Sequence, residues 1–209
     1  MKVAYIGFGL LGRQFKTFID QFERPEESIF FDDVLIGQNS LEALPFNDYG
    51  NNKYKDFSFY VSLGYRNLRI KNRIIKELLG AGRKLPSFIH PSVYVSPKSK
   101  FSDACFFYPG SNIDMDVNIS EGVLLNNSIV VSHNCSIGSC SYLSPGVILS
   151  GNVTVGENTF LGSGTIASNH ITIGNNCVTG IGTVLTKSIP DGSNAIGNPF
   201  KIVSNPLKL

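Results

Sequence analysis

Residues 125–149 read LNNSIVVSHNCSIGSCSYLSPGVIL, and Leu125, Val131, Ile137, Leu143 and Leu149 recur there at every sixth position. Four residues after each of the first four comes a small or β-branched side chain: Ile129, Cys135, Ser141 and Val147. Followed outward, the same register runs from Ile89 to Ile189 without an insertion. A period of six is neither the 3.6 of a helix nor the plain alternation of a strand. It is the period of a parallel β-helix, in which each hexad makes one flat face of a prism and neighbouring coils bury a continuous core.

The chain has 209 residues, enough for one ordinary domain and a small one, and its 42% apolar content supports a core. A formal net charge of +2 with 16% charged residues leaves no basic surface large enough for nucleic acid or an anionic membrane. Cys105, Cys135 and Cys177 all fall at the inward small position of the hexad, and the four cysteines lack the paired spacing of a zinc site. They read as buried apolar side chains. The N-terminal MKVAYIGFGLLG has neither a long hydrophobic core nor a cleavage site, and no apolar run reaches membrane-spanning length. A cytoplasmic protein without membrane insertion is expected.

Composition shifts at Leu85-Pro86, which divides the chain into an α/β domain, residues 1–86, and a β-helix with a tail, residues 87–209. In the first, strands are predicted over residues 3–6, 28–31 and 57–62 and helices over 11–22 and 67–79, taken together as one βαβαβ half-unit. Residues 35–55, rich in Asn, Gly, Pro and Asp, predict a loop with at most one short strand. After the hexads, Pro190-Asp191-Gly192 predicts a turn and residues 195–209 an irregular tail. The N-terminal domain and the tail are expected to cap the open ends of the prism.

Gly7-Phe8-Gly9-Leu10-Leu11-Gly12 follows a strand and opens a helix, with Asp32 and Asp33 about 20 residues on, as in the dinucleotide fingerprint. A nicotinamide dehydrogenase, however, needs two half-units to hold both nucleotides. The reading that fits better is one nucleotide diphosphate at the helix N-terminus; the other is glycines serving tight packing alone. Under the nucleotide reading, Gly9 and Leu10 border the phosphates, and Asp32 or Asp33 accepts hydrogen bonds from base or ribose. Gly64, Tyr65 and Asn67, after the third strand, then share the crevice. Arg69 is either a phosphate partner or part of a solvated helix face.

Three histidines are present. His133 occupies the third position of its hexad and is expected to point outward, where an imidazole can take a proton from an amine or hydroxyl near neutral pH, as acyl transfer requires. One coil of eighteen residues further on, at an inter-strand spacing of roughly 4.8 Å, stands Gly151, whose unencumbered amide could stabilise a thioester oxyanion. His90, beside Pro91, reads as structural. His170 lies about two coils from His133, and a zinc site between subunits would need a third imidazole that the spacing does not supply. No metal is expected.

The glycine loop, Asp32-Asp33, the segment Ser62-Leu63-Gly64-Tyr65-Arg66-Asn67 and the hexads carrying Ser132-His133-Asn134-Cys135-Ser136-Ile137-Gly138 together resemble the bacterial nucleotide-sugar acyltransferases of the left-handed β-helix group. That group includes bacillosamine-pathway and perosamine N-acetyltransferases. The resemblance spans essentially the whole chain. It implies an α/β half-Rossmann unit followed by a left-handed parallel β-helix of hexapeptide repeats, assembled as a homotrimer with active sites between adjacent prisms. It implies acetyl-CoA along the β-helix groove and a nucleotide-linked amino sugar held by the N-terminal domain.

Within that resemblance His133 matches the catalytic base, Gly151 the glycine whose amide meets the thioester oxygen, and Asn126 an asparagine lining the acceptor pocket. Tyr142, Gly162, Ser163, Gly180, Ile181 and Lys187 fall along the implied CoA groove. Pro199 and Lys201, in Gly197-Asn198-Pro199-Phe200-Lys201, resemble the stretch that contacts the CoA adenine end, with Phe200 in place of an alanine. Two positions depart from the pattern. Asn134 stands where many relatives carry a carboxylate after the histidine; its carbonyl can fix the imidazole tautomer but cannot stabilise imidazolium as a charge does. Tyr142 stands where close relatives have a second histidine. The implied activity is acetyl-CoA-dependent N-acetylation of a nucleotide-linked 4-amino-4,6-dideoxy sugar for surface polysaccharide or glycan assembly. Its rivals are a sugar O-acetyltransferase, a non-catalytic trimeric scaffold and a nicotinamide-dependent oxidoreductase.

Overall fold

The computed structural model describes residues 1–36 and 43–204, so part of the expected 35–55 loop and the end of the tail lie outside the described residues. The chain divides into two compact units, Met1–Phe88 and Ile89–Leu209.

In the first unit, β1 (Lys2–Ile6), β2 (Glu27–Phe31), β3 (Ala43–Leu44) and β4 (Ser58–Val61) form a parallel sheet in the order β3-β2-β1-β4. β1 is buried from Val3 to Ile6, the near-continuous apolar run of a strand covered on both faces. α1 (Leu10–Phe22) buries Gly12, Phe15 and Ile19, and α2 (Leu68–Gly80) buries Leu68, Ile74, Ile75 and Leu78, the three-and-four spacing of a helix with one face on a core. The expected βαβαβ order needs correction. No α-helix links β2 to β4 among the described residues; β3 and two 3-10 turns, Phe46–Gly50 and Asn52–Tyr54, make that connection. Pro45 and the Asn-Asp-Tyr-Gly-Asn-Asn run of residues 47–52 carry turn chemistry rather than a helical apolar period. The chain order reverses between β1 and β4, and the carboxyl ends of those two strands border the crevice where open α/β sheets bind ligands.

The second unit is a parallel β-solenoid of about six turns. Two-residue strands stack at an offset of eighteen, Val130 on Ile148 and Ile148 on Ile166, and build three flat faces. The leading hexad residues fill the interior: Phe107, Ile113, Leu125, Val131, Leu143, Leu149 and Leu161 are fully buried. At each corner one residue takes a positive φ, in three columns that include Gly122, Cys140 and Asn158; Ser128, Gly146 and Gly164; and Asp116, Asn134, Asn152 and His170. Where the small hexad position carries Ser, Cys or Thr, the side chain has a polar duty that its size alone does not reveal. Ser111 Oγ, Cys135 Sγ and Thr159 Oγ1 donate to the carbonyls of Asn126, Ser150 and Gly174, at 3.0, 3.1 and 2.8 Å. Ser111 and Thr159 also accept the N–H groups of Ile129 and Cys177. Buried polar atoms at the corners are thereby paired from coil to coil.

The register expected to run unbroken to Ile189 shortens in the last coil. Ile189 stacks on Ile173 at an offset of sixteen, and Asn194 stacks on Val178 at the same offset. At eighteen, Pro190 and Asp191 would face Thr172 and Ile173. Proline has no N–H for the ladder and aspartate cannot fill an apolar slot, so losing two residues brings Ile189 into the core. The tail expected to be irregular also carries regular structure among the described residues. Strand Asn194–Ile196 pairs antiparallel with Lys201–Val203 around residues 197–200, and Phe200 packs against the solenoid core. No helix of the described residues is long and apolar enough to cross a membrane.

Candidate functional site

In the first unit, three glycines of residues 7–12 have three different reasons to be glycine. Gly7 sits at φ +81°, Gly12 packs so closely that a Cβ would stand 2.6 Å from the Gly7 carbonyl, and Gly9 would meet nothing within 4 Å. The first makes the turn and the third lets helix approach strand; at the second, open space borders the backbone. Gly9 caps α1 without a side-chain hydrogen bond, no acidic residue lies in the first turn, and Leu10 is 83% exposed. The unpaired amides and the dipole of that helix end suit an anion. Ser62, buried, donates to the Gly7 carbonyl and ties the loop after β4 to the loop after β1. Gly64, whose Cβ would also meet nothing, half-buried Tyr65, and exposed Asn67 and Arg69 continue from it.

Asp32 or Asp33 was expected to accept from a base or ribose under the nucleotide reading, and in the structure both carboxylates accept from the backbone. Asp32 accepts from the Phe8 and Val34 amides at 2.6 and 2.9 Å, and Asp33 from the Phe46 amide at 2.8 Å. Asp32 thus holds the glycine loop in place from β2. An ionised carboxylate retains further lone pairs, but positioning the loop is the work these contacts display.

In the solenoid, His133 is exposed at the corner between strands Val130–Val131 and Ser136–Ile137, and among the described residues its ring makes no hydrogen bond. Gly151 lies directly beneath it, since a Cβ on Gly151 would fall 2.6 Å from both Cε1 and Nε2 of His133. The missing side chain leaves a notch that the imidazole edge occupies. The Gly151 amide, expected from sequence to be unencumbered, donates instead to Asn169 Oδ1, one coil further on, at 3.0 Å. Asn169 Oδ1 stands 3.3 Å from the same Cβ point, so His133, Gly151 and Asn169 surround one small space. Asn169 was missed in the sequence reading; counting eighteen residues once more from Gly151 would have reached it.

Asn134 was expected to steady the imidazole. It has φ +60° as one of a column of corner residues, and its carboxamide makes no hydrogen bond to His133 among the described residues. Asparagine tolerates the left-handed region better than most residues, which accounts for its presence at this corner. His170 takes the same corner conformation in that column, at φ +60°. His90 Nδ1 accepts from the Ser92 amide at 3.1 Å and lies 2.8 Å from Ser92 Oγ, a local turn contact. No group of three or more His, Cys, Asp or Glu is placed to hold a metal among the described residues. Burial pushes the thiols of Cys135 and Cys177 up, which keeps them protonated and unreactive.

The remaining candidates lie elsewhere on the prism. Asn126 Nδ2 donates to the Tyr142 hydroxyl at 3.2 Å, and the Tyr142 ring packs on Phe160, all on the eight-stranded face or at its edge. Gly162, Ser163, Gly180 and Ile181 follow strands of that face at the same edge as Asn126, and Ile181 is 83% exposed. Gly162 admits no side chain, because a Cβ would meet the Thr179 carbonyl at 2.6 Å. Exposed Lys187 follows the six-stranded face, whereas exposed Pro199 lies in the C-terminal hairpin loop and Lys201 at the start of its second strand. Within one chain, then, His133 and the group around Asn126 occupy different edges of the prism.

No family model matches the chain. Solved structures do resemble it. It is similar to the acetyltransferase domain of PglB from Neisseria gonorrhoeae FA1090, at 28% identity and a TM-score of 0.86, over 97% of this chain and 99% of that one. The same domain in complex with acetyl coenzyme A matches at 28% identity and a TM-score of 0.84, over 97% and 98% of the two chains. PerB from Caulobacter crescentus, in complex with CoA and GDP-perosamine, matches at 27% identity and a TM-score of 0.83, over 98% of each chain. The likeness to sugar acetyltransferases extends over both units.

Proposed function

We propose that the protein is an acetyl-CoA-dependent N-acetyltransferase acting on the 4-amino group of a nucleotide-linked 4-amino-4,6-dideoxy sugar. The observation that carries this reading is the exposed imidazole of His133 held over the side-chain-free notch at Gly151, in a chain alike over nearly its full length to proteins solved with acetyl-CoA, or with CoA and a nucleotide amino sugar. The neutral sugar amine attacks the thioester carbonyl. His133 accepts the amine's proton as the C–N bond forms, the C–S bond breaks, and the imidazolium returns the proton to the departing thiolate. The first unit, a half-Rossmann fold in this reading, binds the nucleotide diphosphate at the amides of residues 9–12.

The same reading takes the solenoid as a left-handed β-helix working as a homotrimer. Two features support that. Val130, Ile148 and Ile166 form an exposed apolar stripe, 37–40% accessible, along the face that ends at the His133 corner. The Asn126–Tyr142 pair and the candidate CoA residues Gly162, Ser163, Gly180 and Ile181 lie at a different edge, so a site combining them with His133 draws on two copies. Surface polysaccharide or glycan assembly in the cytoplasm is the setting such a product implies.

The test is thiol release from acetyl-CoA in the presence of a nucleotide-linked amino sugar. The wild-type protein turns over, and His133→Ala loses about 10²–10⁴-fold in kcat while melting as the wild type does. A His133→Ala variant with wild-type kcat would remove the base from the mechanism.

A further inference from the structure

We infer that Asn169 is a catalytic residue, supplying through its side-chain amide the hydrogen-bond donor for the oxygen of the acetyl thioester. The inference rests on the acetyl-transfer reading of the His133 corner and names a group that the sequence motifs did not.

The argument turns on which end of the carboxamide is free. A backbone N–H can only donate, so the atom of Asn169 facing the Gly151 amide at 3.0 Å is the oxygen, Oδ1. The carboxamide cannot be flipped without setting two donors against each other. Its other end is therefore Nδ2, a pair of N–H donors on an exposed side chain, with no hydrogen-bond partner among the described residues. Donors are what a developing oxyanion requires. The amide of Gly151, the donor expected from sequence, is already engaged; Asn169 takes up that N–H and presents its own.

The molecule contains its own comparison. Asn175, at the next edge of the prism, accepts the Glu157 amide at 2.9 Å through Oδ1, the same rung one coil apart. There Nδ2 is used as well, donating to Asp191 Oδ2 at 3.0 Å. Asn175 is a closed structural rung, whereas Asn169 is the same rung with its donor end left open beside an imidazole. Both Asn169 Oδ1 and His133 Nε2 border the notch left by the absent Gly151 side chain, at 3.3 and 2.6 Å from one point. His133 and Asn169 thus lie one coil to either side of the same glycine, which sets the carboxamide carrying the open donor in the column of the base.

Asn169→Asp separates the two duties. Aspartate can serve as the accepting rung, since Asp191 Oδ1 accepts the Asn175 amide at 2.8 Å, but it offers no donor and places negative charge where the oxyanion forms. Expected for Asn169→Asp and Asn169→Ala is a fall in kcat of about 10²–10³-fold, with KM for acetyl-CoA changed less than threefold; Asn169→Ala keeps the wild-type pH dependence, whereas the carboxylate of Asn169→Asp moves it to higher pH by favouring the imidazolium of His133. Wild-type kcat in Asn169→Asp overturns the inference and leaves Asn169 a structural rung. A second measurement needs no variant. The carbonyl stretch of carbon-13-labelled acetyl-CoA, bound to the wild-type protein, shifts to lower frequency if the oxygen receives a hydrogen bond, and an unshifted band overturns the inference. Failure of the underlying reading is distinct, because then the wild-type protein itself releases no thiol with a nucleotide amino sugar.

Discussion

At His133 the decisive neighbour is an absent side chain. Any Cβ at residue 151 would press on Cε1 and Nε2 from 2.6 Å, and a freely turning imidazole yields more readily than backbone. Gly151→Ala is therefore expected to melt close to the wild type yet displace the base, costing about 10²-fold in kcat, the scale of a misplacement near 1 Å. Wild-type turnover in Gly151→Ala would show that the ring's position over the notch is irrelevant. Counting in eighteens made this pair legible in the sequence, because a fixed coil length puts residues 133 and 151 in one column. What counting does not reveal is where each backbone amide points. The Gly151 N–H is taken by Asn169, and the carboxylates of Asp32 and Asp33 are taken by the amides of Phe8, Val34 and Phe46. At Asn134 the corner's positive φ is a second reason for an asparagine that the motif alone does not reveal.

At the scale of the element, the hexad gave the strands and the interior to within a residue over five coils. It failed in the sixth because Ile189, four positions after Leu185, satisfies the repeat as a small-position residue and equally as a leader. Only the pairing with Ile173 distinguishes the two. One column of glycines shows how tightly the coils are set. A Cβ on Gly156 would stand 2.6 Å from the backbone nitrogen of Asn175 and the carbonyl carbon of Gly174, and Gly138 meets residues 156 and 157 in the same way. Because these contacts are with backbone, Gly156→Ala is expected to lower stability by about 1–3 kcal/mol, the usual cost of overpacking. Urea unfolding followed by circular dichroism reads it; an unchanged midpoint would mean that the coils can separate at no cost.

At the scale of the molecule, the proposed function assigns nucleotide binding to the first unit and acetyl transfer to the second, the two needs of one bisubstrate reaction. The first offers an open helix end whose Gly9 has nothing opposite it, and the second an unencumbered imidazole on a rigid stack. Rigidity suits the task, because acyl transfer depends on orientation as much as on basicity. The division into two units was legible in the sequence, since the glycine loop and the hexads are both local patterns. The proposed use of two prism edges comes only from a resemblance, because a relation between copies leaves no spacing within one chain. The central claim is transfer of an acetyl group to nitrogen. Its most direct test is to incubate the protein with acetyl-CoA and a panel of UDP-, dTDP- and GDP-linked 4-amino-4,6-dideoxy sugars, each beside its 4-hydroxy counterpart, and to locate the acetyl group by NMR. The account predicts an amide at the 4-position with at least one of the amino sugars and no product from any hydroxy counterpart. An ester on a hydroxy counterpart, or no product across the whole panel, would contradict it.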